Sequence, residues 1–336
     1  MFNKIKRSLK QNIGFFVLSH FPWQFCDLGF SGRLIVEPTD ICNLRCPLCP
    51  TPTLKREKGF LSLENFKRIV DDIPGLKSIN FGWAGEPLLN KEIFKMVKYA
   101  DSQGIQTRIN TNTVLLNQYI DEALDSGLNN LIVCLDGTSK ETHEKYRVGS
   151  NFESIKKNIK DFCAEKKRRG LKQPEVTLKS LVTKDNEKKM TDMIELAENL
   201  GVDNLEFKTI SLSLSTHTTL GETIRRAGEF LPSSQFSRYN FKDGKPVLKS
   251  QSKLCSWLRQ GIILWNGDVV LCCYDIEGDL VVGNVFKDGG FKKIWKSEKY
   301  KKYRQKIIKK ELALCKNCNL AAEATLSTYV FSKSKP

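Results

Sequence analysis

Between residues 33 and 210, short apolar runs alternate with amphipathic segments of helical period, and this alternation constrains the fold more than any other feature. The runs fall at residues 34–36, 78–81, 105–109, 131–135, 176–182 and 205–210, rich in Val, Ile and Leu. Each is too short for a helix and reads as a strand. The helical segments are 63–73, 91–103, 117–126, 152–167 and 188–199, the first opened by Ser62 as an N-cap. Strands separated by helix-length crossovers can lie parallel, so the pattern predicts an α/β fold built as a parallel βα array. Strand order and closure are not readable from the pattern.

Directly after the first strand the chain reads Asp40-Ile41-Cys42-Asn43-Leu44-Arg45-Cys46-Pro47-Leu48-Cys49-Pro50. Clustered thiolates select zinc, Cu(I) or iron–sulfur centres. Three ligands in so short a loop, with no fourth Cys or His beside them, leave one metal position open, as in sites that bind a substrate or cofactor. A zinc knuckle with a remote fourth ligand and three unrelated buried cysteines are the alternatives. A second constellation joins Cys255, Cys272, Cys315 and Cys318. The first two bracket an expected hairpin, residues 262–265 and 269–271 about the turn Asn266-Gly267-Asp268. Four thiolates make a closed site, and ligand count leaves zinc and a 4Fe–4S cluster both open. Cys273 is surplus to the set.

Eleven cysteines in 336 residues cluster in ligand-like sets rather than a disulfide framework, which fits a reducing cytoplasm. Hydrophobic content of 40% and charged content of 27% are those of an ordinary globular chain. No stretch has the length of a membrane-spanning helix. In residues 1–32, Phe2, Ile5, Leu9, Ile13 and Phe16 recur at helical spacing among Lys4, Lys6, Arg7 and Lys10. This basic amphipathic extension reads first as a cap on the sheet and second, through residues 1–18, as a contact to a membrane surface or partner. Residues 211–254 are Ser/Thr-rich and read as an irregular bridge over the mouth of the array, and 326–336 as a polar tail. The formal charge of +16 points to an anionic partner. His20, His143 and His217 have no motif around them, so no His-based acid–base site is expected.

Cys42, Cys46 and Cys49 after an apolar strand resemble the cluster loop of the radical S-adenosylmethionine (radical SAM) superfamily. The resemblance implies that these three cysteines hold a 4Fe–4S cluster whose free iron is chelated by SAM. Leu48 stands where an aromatic residue is usual, keeping an apolar contact but no stacking. Gly82-Trp83-Ala84-Gly85-Glu86-Pro87 resembles the family's G-G-E-x-P segment, with Ala84 at the first glycine. Asn110-Thr111-Asn112 resembles the T-N-G turn with Thr113 for glycine, and Cys134-Leu135-Asp136-Gly137 the S-x-D-G ribose-side motif with Cys134 for serine. The implied SAM contacts are Gly85, Glu86, Asn110, Asn112, Cys134 and Asp136. The spacing from Cys255 through Gly267 to Cys272, then Gly283-Asn284-Val285, Ile294-Trp295 and Tyr300 before Cys315 and Cys318, resembles the SPASM/twitch extension. No cysteine follows Cys318, so the resemblance implies the twitch form with one auxiliary 4Fe–4S cluster on Cys255, Cys272, Cys315 and Cys318. The implied architecture is a partial (βα)6 TIM-like barrel over 33–210, followed by a small Cys-rich α+β domain over 255–325, with the site at the C-terminal strand ends.

The implied chemistry is reductive cleavage of SAM to methionine and a 5′-deoxyadenosyl radical, with the electron coming from a donor such as flavodoxin or ferredoxin. That radical takes hydrogen from an unactivated C–H bond of the substrate. Oxidation of the substrate through the auxiliary cluster gives dehydrogenation or bond formation; in a redox-neutral epimerisation Cys273 is the candidate hydrogen-atom donor. An anionic small molecule or sugar-type substrate fits the charge, and a peptide substrate is the alternative. A fused leader-peptide domain needs more chain than precedes residue 33, which disfavours peptide capture by that route. A zinc-containing nucleic-acid-binding protein also fits basic charge plus C-x-x-C, but leaves the strand-end motifs unexplained, so nucleic acid is not the expected partner. A non-catalytic iron–sulfur scaffold or maturation factor is a third possibility.

Overall fold

The computed structural model describes residues 29–212, 227–243, 245–249, 255–316, 318 and 325–331. Six parallel strands run in sequential order: β1 (Arg33–Val36), β2 (Ser78–Phe81), β3 (Gln106–Thr111), β4 (Asn130–Cys134), β5 (Glu175–Val182) and β6 (Asn204–Thr209). Consecutive parallel neighbours joined by crossovers of one hand place every helix on one face and curl the sheet, which is the expected partial barrel. It stays open, because β1 pairs on its outer side with Gly261–Ile263 and β6 with Thr325–Val330 instead of with each other.

Period-two alternation sorts the strand residues. Leu34, Val36, Ile79, Phe81, Ile109, Leu131, Val133, Leu178, Leu205 and Phe207 belong to the main core. They meet Phe66 and Ile69 of α1 (Leu63–Asp71), Met96 and Val97 of α2 (Ile93–Ser102), and Ile155, Ile159 and Phe162 of the helix Phe152–Arg168. Each large apolar side chain so buried contributes roughly 1.5–3 kcal/mol. The intervening residues, among them Asn80, Arg108, Asn110, Cys134, Lys179, Glu206 and Lys208, take the hollow face. Chemistry therefore has one side of the sheet and stability the other.

Local signals place most helix starts. The Ser62 hydroxyl accepts from the Asn65 amide at 3.2 Å, and Asn151 accepts from Ser154 at 2.9 Å. A helix at Lys140–Tyr146, capped by Ser139, falls where the sequence reading leaves a loop. Its sequence is polar nearly all round, and only His143 and Tyr146 are buried, so no apolar period marks it.

The C-terminal cysteine region extends the same sheet. β9 (Gly261–Ile263) lies parallel to β1, β10 (Asp268–Val270) folds back on β9 through the expected Asn266-Gly267 turn, and β11 (Val281–Asn284) completes the edge. Two expectations need correction. The tail from residue 326 is not merely polar: Thr325–Val330 forms β12, antiparallel to β6, with Tyr329 edge-on to Phe207 at 5.9 Å. Open hydrogen-bonding groups on β6 recruit a segment whose Thr, Tyr and Val residues favour strand over tail. Within the bridge, Tyr239–Lys242 and Lys245–Leu248 form a hairpin, β7–β8. The expected amphipathic extension, residues 1–32, lies almost wholly outside the described residues. Among the described residues no helix is long and apolar enough to cross a membrane.

A Cβ on Gly261 would fall 2.6 Å from Phe291 Cζ and 2.8 Å from Leu34 Cδ1, where β9 joins the barrel. Gly261→Ala is expected to destabilise the fold by about 1–3 kcal/mol, read by denaturant unfolding. An unchanged midpoint would mean that this junction is loosely packed.

Candidate functional site

The loop leaving β1 is pinned before it reaches the cysteines. Glu37, Thr39 and Asp40 are all fully buried. Arg56 donates to both carboxylate oxygens of Glu37, stands 3.4 Å from Asp40 Oδ2, and donates through Nε to the Ile276 carbonyl at 3.0 Å. The Trp265 amide also donates to Glu37, and the Gly59 amide donates to Asp40 at 3.0 Å. Burial pushes the Glu37 carboxyl above its ordinary value, and Arg56 opposes that shift.

Beyond this pin the three thiols share one loop. The Cys42 sulfur accepts from the Leu44 amide at 3.4 Å and from Asn112 Nδ2 at 3.8 Å. Asn112 Nδ2 also donates to Asn43 Oδ1 at 2.7 Å. Arg147 Nη1 lies 4.0 Å from the Cys46 sulfur. Burial pushes the Cys46 thiol up to about 12 and the Cys42 thiol in the same direction. Thiolates in such surroundings need a metal's charge in place of the proton. Leu44 and Cys46 pack with Tyr146, Ile210, Phe230, Leu231 and Tyr239, so the bridging segment roofs the loop with apolar side chains. Among the described residues no three candidate ligands converge on a single ion. Cys46 lies within electrostatic reach of Cys42 and Cys49, so the three thiols share one site, and thiolates so grouped could hold a soft metal or an iron–sulfur cluster.

The strand-end motifs gather around this loop, with differences in role. A Cβ on Gly85, at φ +74°, would fall 2.2 Å from the Thr39 carbonyl oxygen, so only glycine fits where this turn meets the loop. The Glu86 carboxylate is held by the protein, because Leu88 N, Thr111 Oγ1 and Asn112 N all donate to it. Its role here is to set the turn that aims Asn112. Thr113 sits at φ +75°, the left-handed conformation expected of a glycine there, and its hydroxyl accepts from the Cys134 amide at 3.1 Å. Asp136 is likewise committed to the protein: Oδ2 accepts from Arg147 Nε at 2.5 Å and Oδ1 from the Leu181 amide at 2.7 Å. It positions Arg147, which the sequence reading missed because the cation follows a helix with no apolar period. Asn110 turns into the hollow of the sheet, donating to Asn80 Oδ1 at 2.8 Å and accepting from Lys179 Nζ at 3.2 Å.

Cys255, Cys272, Cys315 and Cys318 lie within electrostatic reach of one another, and burial pushes Cys255 up to about 12 and Cys315 up to about 11. The Cys272 sulfur accepts from the Tyr274 amide at 3.4 Å, and the neighbouring Cys273 thiol donates to Cys272, holding Cys273 protonated and lowering Cys272. Cys255 and Cys315 pack on the helix-side core. Cys273 instead packs with Ile35, Ile262, Leu264 and Val270 in a separate cluster on the opposite face.

Comparison with known proteins matches residues 36–197 to the model of the radical SAM superfamily, and residues 255–319 to that of SPASM, an iron–sulfur cluster-binding domain. The tungsten-containing aldehyde ferredoxin oxidoreductase cofactor-modifying protein of Pyrococcus furiosus is 30% identical over 51% of this chain and 49% of its own length. This chain thus spans about half of that relative. The PqqA peptide cyclase of Bradyrhizobium diazoefficiens is 24% identical over 86% of this chain and 79% of its own. In structure, Streptococcus suis SuiB bound to precursor peptide SuiA shares the fold at a TM-score of 0.60 and 15% identity, covering 82% of this chain and 67% of that one.

His143 is buried, its Nδ1 accepting from the Asp136 amide at 3.1 Å, and burial lowers its pKa from 6.5 to about 4. The folded chain therefore binds this proton less tightly than the unfolded chain does. Its neutral form contributes fully above about pH 6.5, and stability falls as pH drops towards about 4, by on the order of 2–3 kcal/mol. His143→Asn keeps an acceptor without that proton site, so its melting temperature should fall less than the wild type's between about pH 7 and 5. Equal losses would assign the acid sensitivity elsewhere.

Proposed function

Because this chain belongs to the radical SAM superfamily and carries a C-terminal SPASM domain, we propose that it takes a hydrogen atom from a C–H bond of an anionic substrate and oxidises that substrate through its auxiliary cluster. The observation that carries this reading is the loop of Cys42, Cys46 and Cys49 held at the end of β1 between Asn112 and Arg147 beneath an apolar roof. When bound, a reduced cluster with SAM supplies one-electron chemistry able to break an unactivated C–H bond.

The chain's own residues prepare the site for that chemistry. Asn112 and the Leu44 amide direct hydrogen bonds at Cys42, which stabilise a metal-bound thiolate. Arg147, oriented by Asp136, brings a guanidinium beside Cys46 that would also hold a carboxylate of SAM. Gly85 lets backbone approach where any side chain would collide. The roof of Tyr146, Phe230, Leu231 and Tyr239 gives the loop an apolar cover on the side of Leu44 and Cys46, which are buried. Cys255, Cys272, Cys315 and Cys318 would hold the auxiliary cluster, which would supply a one-electron acceptor, so that loss of one hydrogen atom, one electron and one proton would make a net two-electron oxidation of the substrate. In epimerisation the protonated Cys273 returns the hydrogen atom, and its sulfur is restored by one electron from the flavodoxin- or ferredoxin-type donor and one proton from solvent. A cytoplasmic, reducing setting suits both routes.

A peptide substrate is supported by the PqqA peptide cyclase, aligned over 86% of this chain. A small anionic molecule is supported by the net charge of +16 and the cations on the hollow face.

Anaerobically reconstituted protein should hold about eight irons and form deoxyadenosine with SAM after dithionite reduction. Replacing Cys42, Cys46 and Cys49 together by Ala should leave about four irons and no deoxyadenosine. Colourless, zinc-loaded protein without deoxyadenosine would overturn the reading. A full complement of deoxyadenosine with no electrons lost from the substrate would favour epimerisation, and Cys273→Ala should then stop it.

A further inference from the structure

On the hollow face, register sets Cys134, Lys179 and Glu206 side by side across β4, β5 and β6, with Lys208 two residues above Glu206. Arg108 lies lower, in a row with Asn130 and Glu175. The carboxylates of this face are already engaged. Glu206 stands 3.1 Å from Lys208 Nζ, and Glu175 accepts from Asn130 and Asn204. Lys179 has no such partner: its ammonium makes one hydrogen bond, to the neutral Asn110 oxygen at 3.2 Å, and among the described residues no carboxylate lies within ion-pair distance.

An ammonium has three donors and is strongly hydrated in water, so enclosing it against one neutral acceptor is costly. The neighbouring Cys134 thiol does not compensate, since burial raises its pKa and keeps it neutral. Burial also pushes the Lys179 ammonium below its ordinary value, Lys208 and Arg108 add to that shift, and the Glu206 carboxylate opposes it without cancelling it. The Asn80–Asn110–Lys179 chain of hydrogen bonds nevertheless holds the amine in the hollow. Position matters as much as charge. Cys134, directly opposite Lys179, precedes Asp136 by two residues, and Asp136 orients the Arg147 that reaches Cys46. A group bound at Lys179 therefore lies just below the cysteine loop, on the face opposite the helices.

We propose that Lys179, anchored by Asn110 and Asn80, takes the anionic group of the substrate, a carboxylate or a phosphate, and so fixes which C–H bond faces the cysteine loop. This rests on the radical SAM reading and names the chemical class of its substrate. An incoming anion supplies the counter-charge the fold withholds, and Lys208 and Arg108 raise the local potential that draws it in. Lys179 is then a specificity residue, since neutral analogues of the same shape leave the half-buried ammonium without an ion-pair partner.

The test is calorimetric titration of the reconstituted, SAM-loaded protein with inorganic phosphate and, separately, with acetate. Wild type should bind at least one of them saturably, about ten-fold more tightly than Lys179→Met does, while Lys179→Arg retains binding. Preference for phosphate would identify a phosphorylated substrate, and preference for acetate a carboxylate-bearing one, either of which supports the proposal. Lys179→Met should keep its iron content and melt no lower than wild type, because it removes a half-buried charge whose one hydrogen bond is to a neutral oxygen. Equal anion affinity in wild type and Lys179→Met, or no saturable binding of either anion by wild type, would overturn it. A parallel loss of SAM affinity in Lys179→Met would overturn it too, placing the residue in the SAM pocket. Deoxyadenosine formed by reduced wild type without substrate reports separately on the radical SAM reading.

Discussion

Arg56 holds together the parts of this molecule that chemistry must bring close. Its guanidinium is shared by Glu37 and Asp40 at the exit of β1 and by the carbonyl of Ile276, just past Cys272 and Cys273. The same Glu37 accepts from Trp265 in the hairpin between Cys255 and Cys272. One buried cation thus ties the first cysteine loop to the second cysteine region, on a strand that is itself paired on both sides. Such a pair contributes little net stability compared with an apolar packing of the same volume, but removing one partner strands a charge and costs roughly 3–5 kcal/mol. Its value lies in geometry: few other arrangements of these loops satisfy three acceptors at once.

From that anchor the division of labour across the sheet follows. Helix-facing residues such as Val36, Phe81 and Val133 are wholly buried and supply cohesion. Hollow-facing residues of the sheet include the asparagines Asn80 and Asn110, the cations Arg108, Lys179 and Lys208, Glu206 and Cys134. A strand can serve both because its side chains alternate, so one short run carries a core residue and a site residue in adjacent positions. The roof of Phe230, Leu231 and Tyr239 then gives the polar hollow an apolar cover beside the cysteine loop, where electrostatic interactions are stronger than in water.

The acidic motif residues show how contact and support differ. Glu86 and Asp136 each stand where a ligand contact is expected, yet their oxygens are taken by Thr111, Asn112, Leu181 and Arg147. They act one shell away, by aiming Asn112 and Arg147. A buried carboxylate left without donors would be costly, and here Glu86 accepts from three donors and Asp136 from two.

Several features were settled by sequence alone, because they are local. The six strands and the five helices between them, the Ser62 cap, the Asn266-Gly267 turn and the two cysteine sets depend on spacing along the chain and on conformations that only certain residues adopt. Gly85 and Thr113 show this from both sides: the motif marks the turn, and the backbone keeps a left-handed conformation even where threonine replaces glycine. Other features depended on partners far away in sequence. The helix Lys140–Tyr146 lacks an apolar period, Thr325–Val330 becomes a strand only because β6 offers an open edge, and Arg147 gains its role from Asp136 and Cys46. Lys179 is one more lysine among 54 Lys and Arg residues until the register of β4, β5 and β6 encloses it with a single neutral partner. Spacing determines which groups are available, whereas burial and pairing, which exist only in three dimensions, determine which of them are left wanting a ligand.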